Sequence, residues 1–118
     1  LTKEKKMYDE NNIFAKIINK KISCDLIYED NNVIFFKDIN PVAKIHILCL
    51  PKDKVENLSE FILKCGESRV SYFFKKIIDI VKLNNLDKTG YRLITNEGKD
   101  SNQEVQHFHV HLLGGEKL

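Results

Sequence analysis

No stretch of this sequence stays apolar for the roughly 18–20 residues that a membrane-crossing helix needs. Nor is there an excess of charge of one sign, since 19 basic and 17 acidic side chains leave a net +2. A surface so balanced lacks the basic stripe that nucleic acid or an anionic membrane selects, so neither is expected as a partner. Cysteines are few: Cys24, Cys49 and Cys65 make an odd count with no C-x-x-C pair. That usage argues against a disulfide scaffold and for reduced thiols, as in a cytosolic or nuclear protein. No signal-peptide pattern stands at the head of the sequence, and internal repeats and low-complexity linkers are missing. A chain of 118 residues is then expected to form one domain with a real core.

Residues 1–12, LTKEKKMYDENN, are polar and are expected to form a flexible N-terminal arm, with residues 13–118 as the single domain. Ile13, Phe14, Ile17 and Ile18 recur at helical spacing over about two turns. L-I-Y-E-D and V-I-F-F-K-D read as strands of a hairpin around Asp30, Asn31 and Asn32. I-N-P breaks the second strand, because proline restricts itself and the residue before it. I-H-I-L-C-L-P reads as a third strand. From 57 to 86 the period changes: Val70, Phe73, Phe74, Ile77 and Val81 mark one face of a main helix, with L-S-E-F-I-L-K-C as a separate short one. Y-R-L-I-T-N predicts a fourth strand, N-E-G-K-D-S-N-Q a polar loop, and Q-H-F-H-V-H-L-L a fifth strand. The fold class is therefore α+β, a five-stranded antiparallel sheet with one main helix and short helices.

Histidine is scarce as well, and its distribution is uneven. Of four, three fall in H-F-H-V-H-L-L-G-G, at 107, 109 and 111; the fourth is His46. On a strand, alternate side chains share a face, so the three histidines oppose Phe108, Val110 and Leu112. The apolar face belongs to the core, and the histidine face is expected to look into a cleft or solvent. Three readings follow. A metal site needs nitrogens about 2.0–2.1 Å from zinc, yet the α-carbons of His107 and His111 lie roughly 13 Å apart on a regular strand, so a further ligand would have to be His46 or a cysteine. An edge strand with locally satisfied histidines is the bland alternative. The third reading is nucleophilic and acid–base work: neutral imidazole attacks phosphorus well, and a flanking ring can protonate a leaving group near neutral pH.

At this point the residues resemble a known family. H-F-H-V-H-L-L is similar to the His-φ-His-φ-His-φ-φ signature of the histidine triad (HIT) superfamily. L-G-G, I-F-A-K-I-I, F-K-D-I-N-P and N-E-G-K-D resemble its Hint branch, also known as the protein kinase C interacting protein family. The resemblance spans roughly residues 13–115 with the motifs in order. It implies the HIT fold and a homodimer whose two sheets join into one of ten strands. It also implies hydrolysis of purine nucleoside phosphoramidates, an AMP-type substrate, with neither metal nor cofactor. His109 would attack the α-phosphate and become adenylylated, His111 would contact phosphate and leaving group, and His107 and His46 would complete the cluster.

The resemblance also carries a nucleotide pocket. Asp38 matches the acid that accepts from both ribose hydroxyls, although an Asp before I-N-P also suits a turn. Phe14, Ile17, Ile22, Phe36, Ile39 and Leu48 match apolar positions around base and sugar, and each alone also suits a core. Asn96 and Gln103, with Glu104 and Val105, fall at positions near the phosphate. Departures from the pattern are present. Asn102-Gln103-Glu104-Val105 stands where Gly-Gln-Ser-Val is usual, which puts a glutamate in place of a serine; Lys44-Ile45-His46 replaces Pro-Thr-His. Two other functions therefore stay open, a nucleotide-binding scaffold with weak turnover and a zinc-binding regulator of kinases.

Overall fold

The computed structural model describes residues 7–118; residues 1–6, the first half of the expected arm, lie outside them. A turn at residues 10–12 leads into α1 (Ile13–Ile18), which Asn12 caps by accepting the N–H of Ala15 at 2.8 Å. The strands are β1 (Leu26–Glu29), β2 (Val33–Lys37), β3 (Ile45–Pro51), β4 (Tyr91–Ile94) and β5 (Val110–Gly114). They form one antiparallel sheet in the order β1-β2-β3-β5-β4. Between β3 and β4 come α2 (Leu58–Cys65), α3 (Glu67–Leu83) and α4 (Leu86–Thr89).

Both faces of the sheet are covered. In β2 four consecutive residues are buried, which one apolar face alone does not produce. Val33 and Phe35 point to the helix side, where Ile47, Cys49, Phe61, Phe73, Ile77, Phe108, Val110 and Leu112 complete the larger core. Ile34 and Phe36 point the other way and pack with Phe14, Ile17, Leu48 and Leu50 beneath α1. The α3 residues Phe73, Ile77, Ile80 and Val81 are buried at the three- and four-residue steps predicted for the main helix.

The fifth strand is shorter than predicted. It begins at Val110, so His107, at a bend, and His109 precede it. Pro51 closes the neighbouring β3, and the N–H of Phe108 goes to the carbonyl of Val55 at 2.8 Å instead of to a ladder partner. The terminal glycines serve packing. A Cβ at Gly114 would stand 2.9 Å from the Leu86 side chain, and Gly115 adopts φ +82, which L side chains rarely take.

Candidate active site

The histidine face does not open to solvent as a whole. His107 is fully buried, and His46 and His109 are 7% exposed; only His111 is part-exposed. The physical reason is α1 and the segment before it, which lie over that face. Phe14 sets its ring edge-on to His109, centroids 4.9 Å apart. Residues 7–12 of the expected arm contribute too, since Tyr8 meets His107.

Adjacency of β3 and β5 brings the fourth histidine in. Leu48 pairs with His111 and His46 with Leu113, so His46 and His111 are diagonal neighbours on one face. Their rings sit 5.1 Å apart, with His46 Nε2 and His111 Nδ1 at 2.9 Å.

The hydrogen bonds determine which nitrogens carry protons. The Val42 N–H donates to His46 Nδ1 at 3.1 Å, so that nitrogen is bare and Nε2 bears the proton. Nε2–H in turn points to His111 Nδ1 and, at 3.3 Å, to Asp38 Oδ2. His111 must then carry its proton on Nε2. On the other side, His107 Nε2 donates to the Pro51 carbonyl at 2.8 Å, leaving Nδ1 to accept from the Tyr8 hydroxyl at 2.5 Å. His109 Nδ1 donates to the carbonyl of His107 at 2.7 Å, which leaves its Nε2 as a lone pair. Among the described residues no fully buried side-chain nitrogen lacks a partner, so this bare Nε2 opens into the cavity that His109 lines.

Burial keeps these rings neutral. Desolvation pushes His107 down to about 4 from the ordinary 6.5 against the help of the Pro51 carbonyl. His111 also falls to about 4, by burial first and then by the neighbouring His109 and His46. His109 is lowered by burial, partly offset by its bond to the His107 carbonyl and by the charges of Asp38 and Glu104. A neutral imidazole with a fixed Nδ1–H is a nucleophile at pH 7.

Asp38, His46 and His111 bring one carboxylate oxygen and two ring nitrogens within 4.8 Å of one another, the kind of cluster a divalent cation could use. The Val42 N–H argues otherwise. A ligating histidine keeps a proton on its second nitrogen and donates it outward, whereas His46 accepts there and so presents N–H to its neighbours. The three groups fit a hydrogen-bonded chain and not a ligand set.

The cavity in front of the histidines measures about 500 Å³, within the range of small-molecule sites. Phe14 and Leu48 form its apolar wall, Asp38, His46, His109 and His111 its polar floor, and Asn96, Glu104 and Val105 its far side. Asp38 is held ready: Oδ1 accepts the Asn40 N–H at 2.8 Å.

Other sequence-predicted residues stand elsewhere. His107 is behind the cavity. Ile17 and Phe36 are buried in the core beneath α1. Ile22 is 39% and Ile39 87% exposed, and neither lines the cavity; both lie in turns whose direction the chain sets after its apolar runs end. Gln103 is a loop staple, donating to the carbonyls of Glu56 at 2.6 Å and Val105 at 3.0 Å while accepting from Gly98 N–H at 3.0 Å. Asn40, Val42, Ser101 and Asn102 line the cavity without having been singled out. The break at I-N-P marked the Asn40–Val42 loop; Asn102 was marked only as standing where glycine is usual, and its left-handed backbone (φ 58) arises at the end of a 3₁₀ turn.

Known proteins match this chain along nearly its whole length. The HIT domain family model matches residues 19–118. A HIT-like protein of Rickettsia prowazekii is 47% identical over 95% of this chain and 93% of its own length. The purine nucleoside phosphoramidase of Escherichia coli is 36% identical over 92% of this chain and 91% of its own. The solved HIT family hydrolase from Clostridium thermocellum superposes with a TM-score of 0.85 at 38% identity, covering 92% of this chain and 94% of that one. With the match running along nearly the whole length, and with the histidines arranged as above, the chain belongs to the HIT family and carries its hydrolase-like, nucleotide-binding fold.

Proposed function

We propose that the protein hydrolyses the P–N bond of purine nucleoside 5′-phosphoramidates through an adenylylated His109. The observation that carries this reading is the proton arrangement: His109 spends its one N–H on the His107 carbonyl and turns a bare Nε2 to the cavity. In the first step Nε2 bonds to the α-phosphorus as the P–N bond breaks, and the amine leaves with a proton. His111 takes up a second proton as the phosphate charge raises its otherwise low proton affinity, and it passes the proton on Nε2 to the departing amine, returning to the neutral ring. Water then attacks phosphorus and gives up a proton to the now neutral His111, the P–Nε2 bond breaks, and AMP leaves.

Asp38 would accept from the ribose hydroxyls, and Phe14 and Leu48 would face the sugar and base. The name and similarity of the Escherichia coli phosphoramidase support the same chemistry. Assembly as a homodimer is part of the reading: β4 is an open sheet edge carrying Tyr91 and Leu93, 40% and 37% exposed. The test is turnover of a fluorogenic adenosine phosphoramidate with acid quench. AMP should be trapped on His109, and His109→Ala should lose several orders of magnitude in rate while staying folded. Tight AMP binding without turnover would favour a scaffold instead.

A further inference from the structure

His107 is the one triad member that does not line the cavity, and it is fully buried. Whatever it does for the reaction, it does through a neighbour. Its carbonyl holds His109 Nδ1–H at 2.7 Å, and so sets which nitrogen of His109 is bare. Its ring is held in turn from two sides, by the Pro51 carbonyl at Nε2 and by the Tyr8 hydroxyl at Nδ1.

Tyr8 comes from 99 residues away in the chain, and several contacts keep it there. Its ring meets that of His107 edge-on, centroids 5.6 Å apart at 78°. The Asn12 side chain lies beside the same hydroxyl and is itself held by the Asp9 carbonyl at 2.7 Å, while the bare Nδ1 of His107 takes the Tyr8 proton. Glu10 pairs with Lys54, and Asn12 also caps α1, the helix whose Phe14 packs on His109. One short segment thus grips the first histidine from behind and covers the second from above.

We infer that Tyr8 is a positioning residue for the nucleophile, acting through His107. The chain of bonds runs from the Tyr8 hydroxyl to the His107 ring, and from the His107 carbonyl to His109. Without the hydroxyl, His107 Nδ1 is a buried acceptor with no donor, and the ring can relieve that only by moving. Its carbonyl moves with it, and His109 loses its fixed aim. Such a loss falls on the chemical step and not on nucleoside binding.

This inference rests on His109 being the nucleophile, and the experiment separates the two. Tyr8→Phe keeps the ring packing and removes only the hydroxyl; Tyr8→Ala removes both; Glu10→Gln breaks only the exposed ion pair. With the adenosine phosphoramidate, Tyr8→Phe should lower kcat about ten-fold with KM within about two-fold, the scale of one lost hydrogen bond expressed in the transition state. Tyr8→Ala should add little to that, and Glu10→Gln should stay within about two-fold of wild type. In ¹⁵N spectra of histidine-labelled protein, Tyr8→Phe should shift His107 Nδ1 and both nitrogens of His109 while those of His46 and His111 hold. Full kcat in Tyr8→Phe with harm only in Tyr8→Ala would mean that Tyr8 merely packs, and would overturn the inference. A wild type that does not turn over the substrate refutes the proposed function instead. The spectra then judge Tyr8 alone: unmoved His109 resonances overturn the inference, and the selective shift upholds the connection to His109.

Discussion

Acid should destabilise this protein through His107 before its carboxylates are protonated, and the size of the effect can be worked out. The ring is buried, neutral and bonded at both nitrogens, with its proton affinity pushed from the ordinary 6.5 down to about 4 by loss of hydration. In the unfolded chain the same ring protonates near 6.5. Between those values the unfolded state holds the extra proton, so stability falls as pH falls through the window from 6.5 to about 4. Above 6.5 neither state is protonated there and the contribution is constant; below about 4 both are, and it is constant again. At about 1.4 kcal/mol per pH step, the whole window removes about 3 kcal/mol, a large part of the stability of a small domain. His111 is shifted in the same direction but is part-exposed, so solvent screens its share. Urea unfolding of the wild type and of His107→Gln at a series of pH values from 7 to 4 reads the effect. The glutamine can still donate to the Pro51 carbonyl but does not titrate. The variant should be less stable at pH 7, yet its stability should decline less steeply towards pH 4, the two curves converging by about 3 kcal/mol. Parallel curves across that window would refute the reasoning, since they would mean that the His107 site admits the charged ring.

Asp38 has one oxygen on the Asn40 N–H and the other beside His46, and its remaining lone pairs face the cavity. A 2′-deoxy substrate should therefore lose about ten- to a hundred-fold in kcat/KM, the worth of one hydrogen bond to a charged group, and equal use of both sugars would reduce Asp38 to a turn residue. Glu104 is exposed where the cavity meets a neighbouring hollow lined by Lys99, Gln103 and Gln106. A carboxylate about 4 Å from a phosphate would oppose it by roughly 4 kcal/mol at an effective dielectric near 20. An exposed one is screened to about 1 kcal/mol or less, so Glu104→Ser should change turnover of a neutral-amine substrate by less than about five-fold. Faster turnover by orders of magnitude would show the carboxylate pressing on the phosphate. In sedimentation at micromolar concentration the protein should run as a dimer, and Leu93→Asp on the open β4 edge should shift it towards monomer; a wild-type monomer would remove the ten-stranded sheet.

The sequence by itself determined the periodic parts. The short apolar runs V-I-F-F-K and I-H-I-L-C-L-P, and the three- and four-residue steps from Val70 to Val81, are local consequences of which side chains must leave water, and the strands and the helix appear where expected. Alternation in the histidine run placed His109 and His111 on one face, and both line the cavity, whereas His107, at the bend before the strand, stands behind it. Tertiary structure decided what that face meets. It placed β3 beside β5, which set His46 diagonal to His111. It laid α1 over the histidines, burying a face that alternation alone would leave open. It turned Ile22 and Ile39 outward, because the direction of a turn depends on what the flanking strands pair with. Tyr8 is the sharpest case, a residue in a polar run with no periodic signal, whose partner lies 99 positions away. Periodicity reports how a segment divides its own side chains between two faces; which nitrogen of a buried ring holds a proton depends on donors and acceptors that only folding brings within 3 Å.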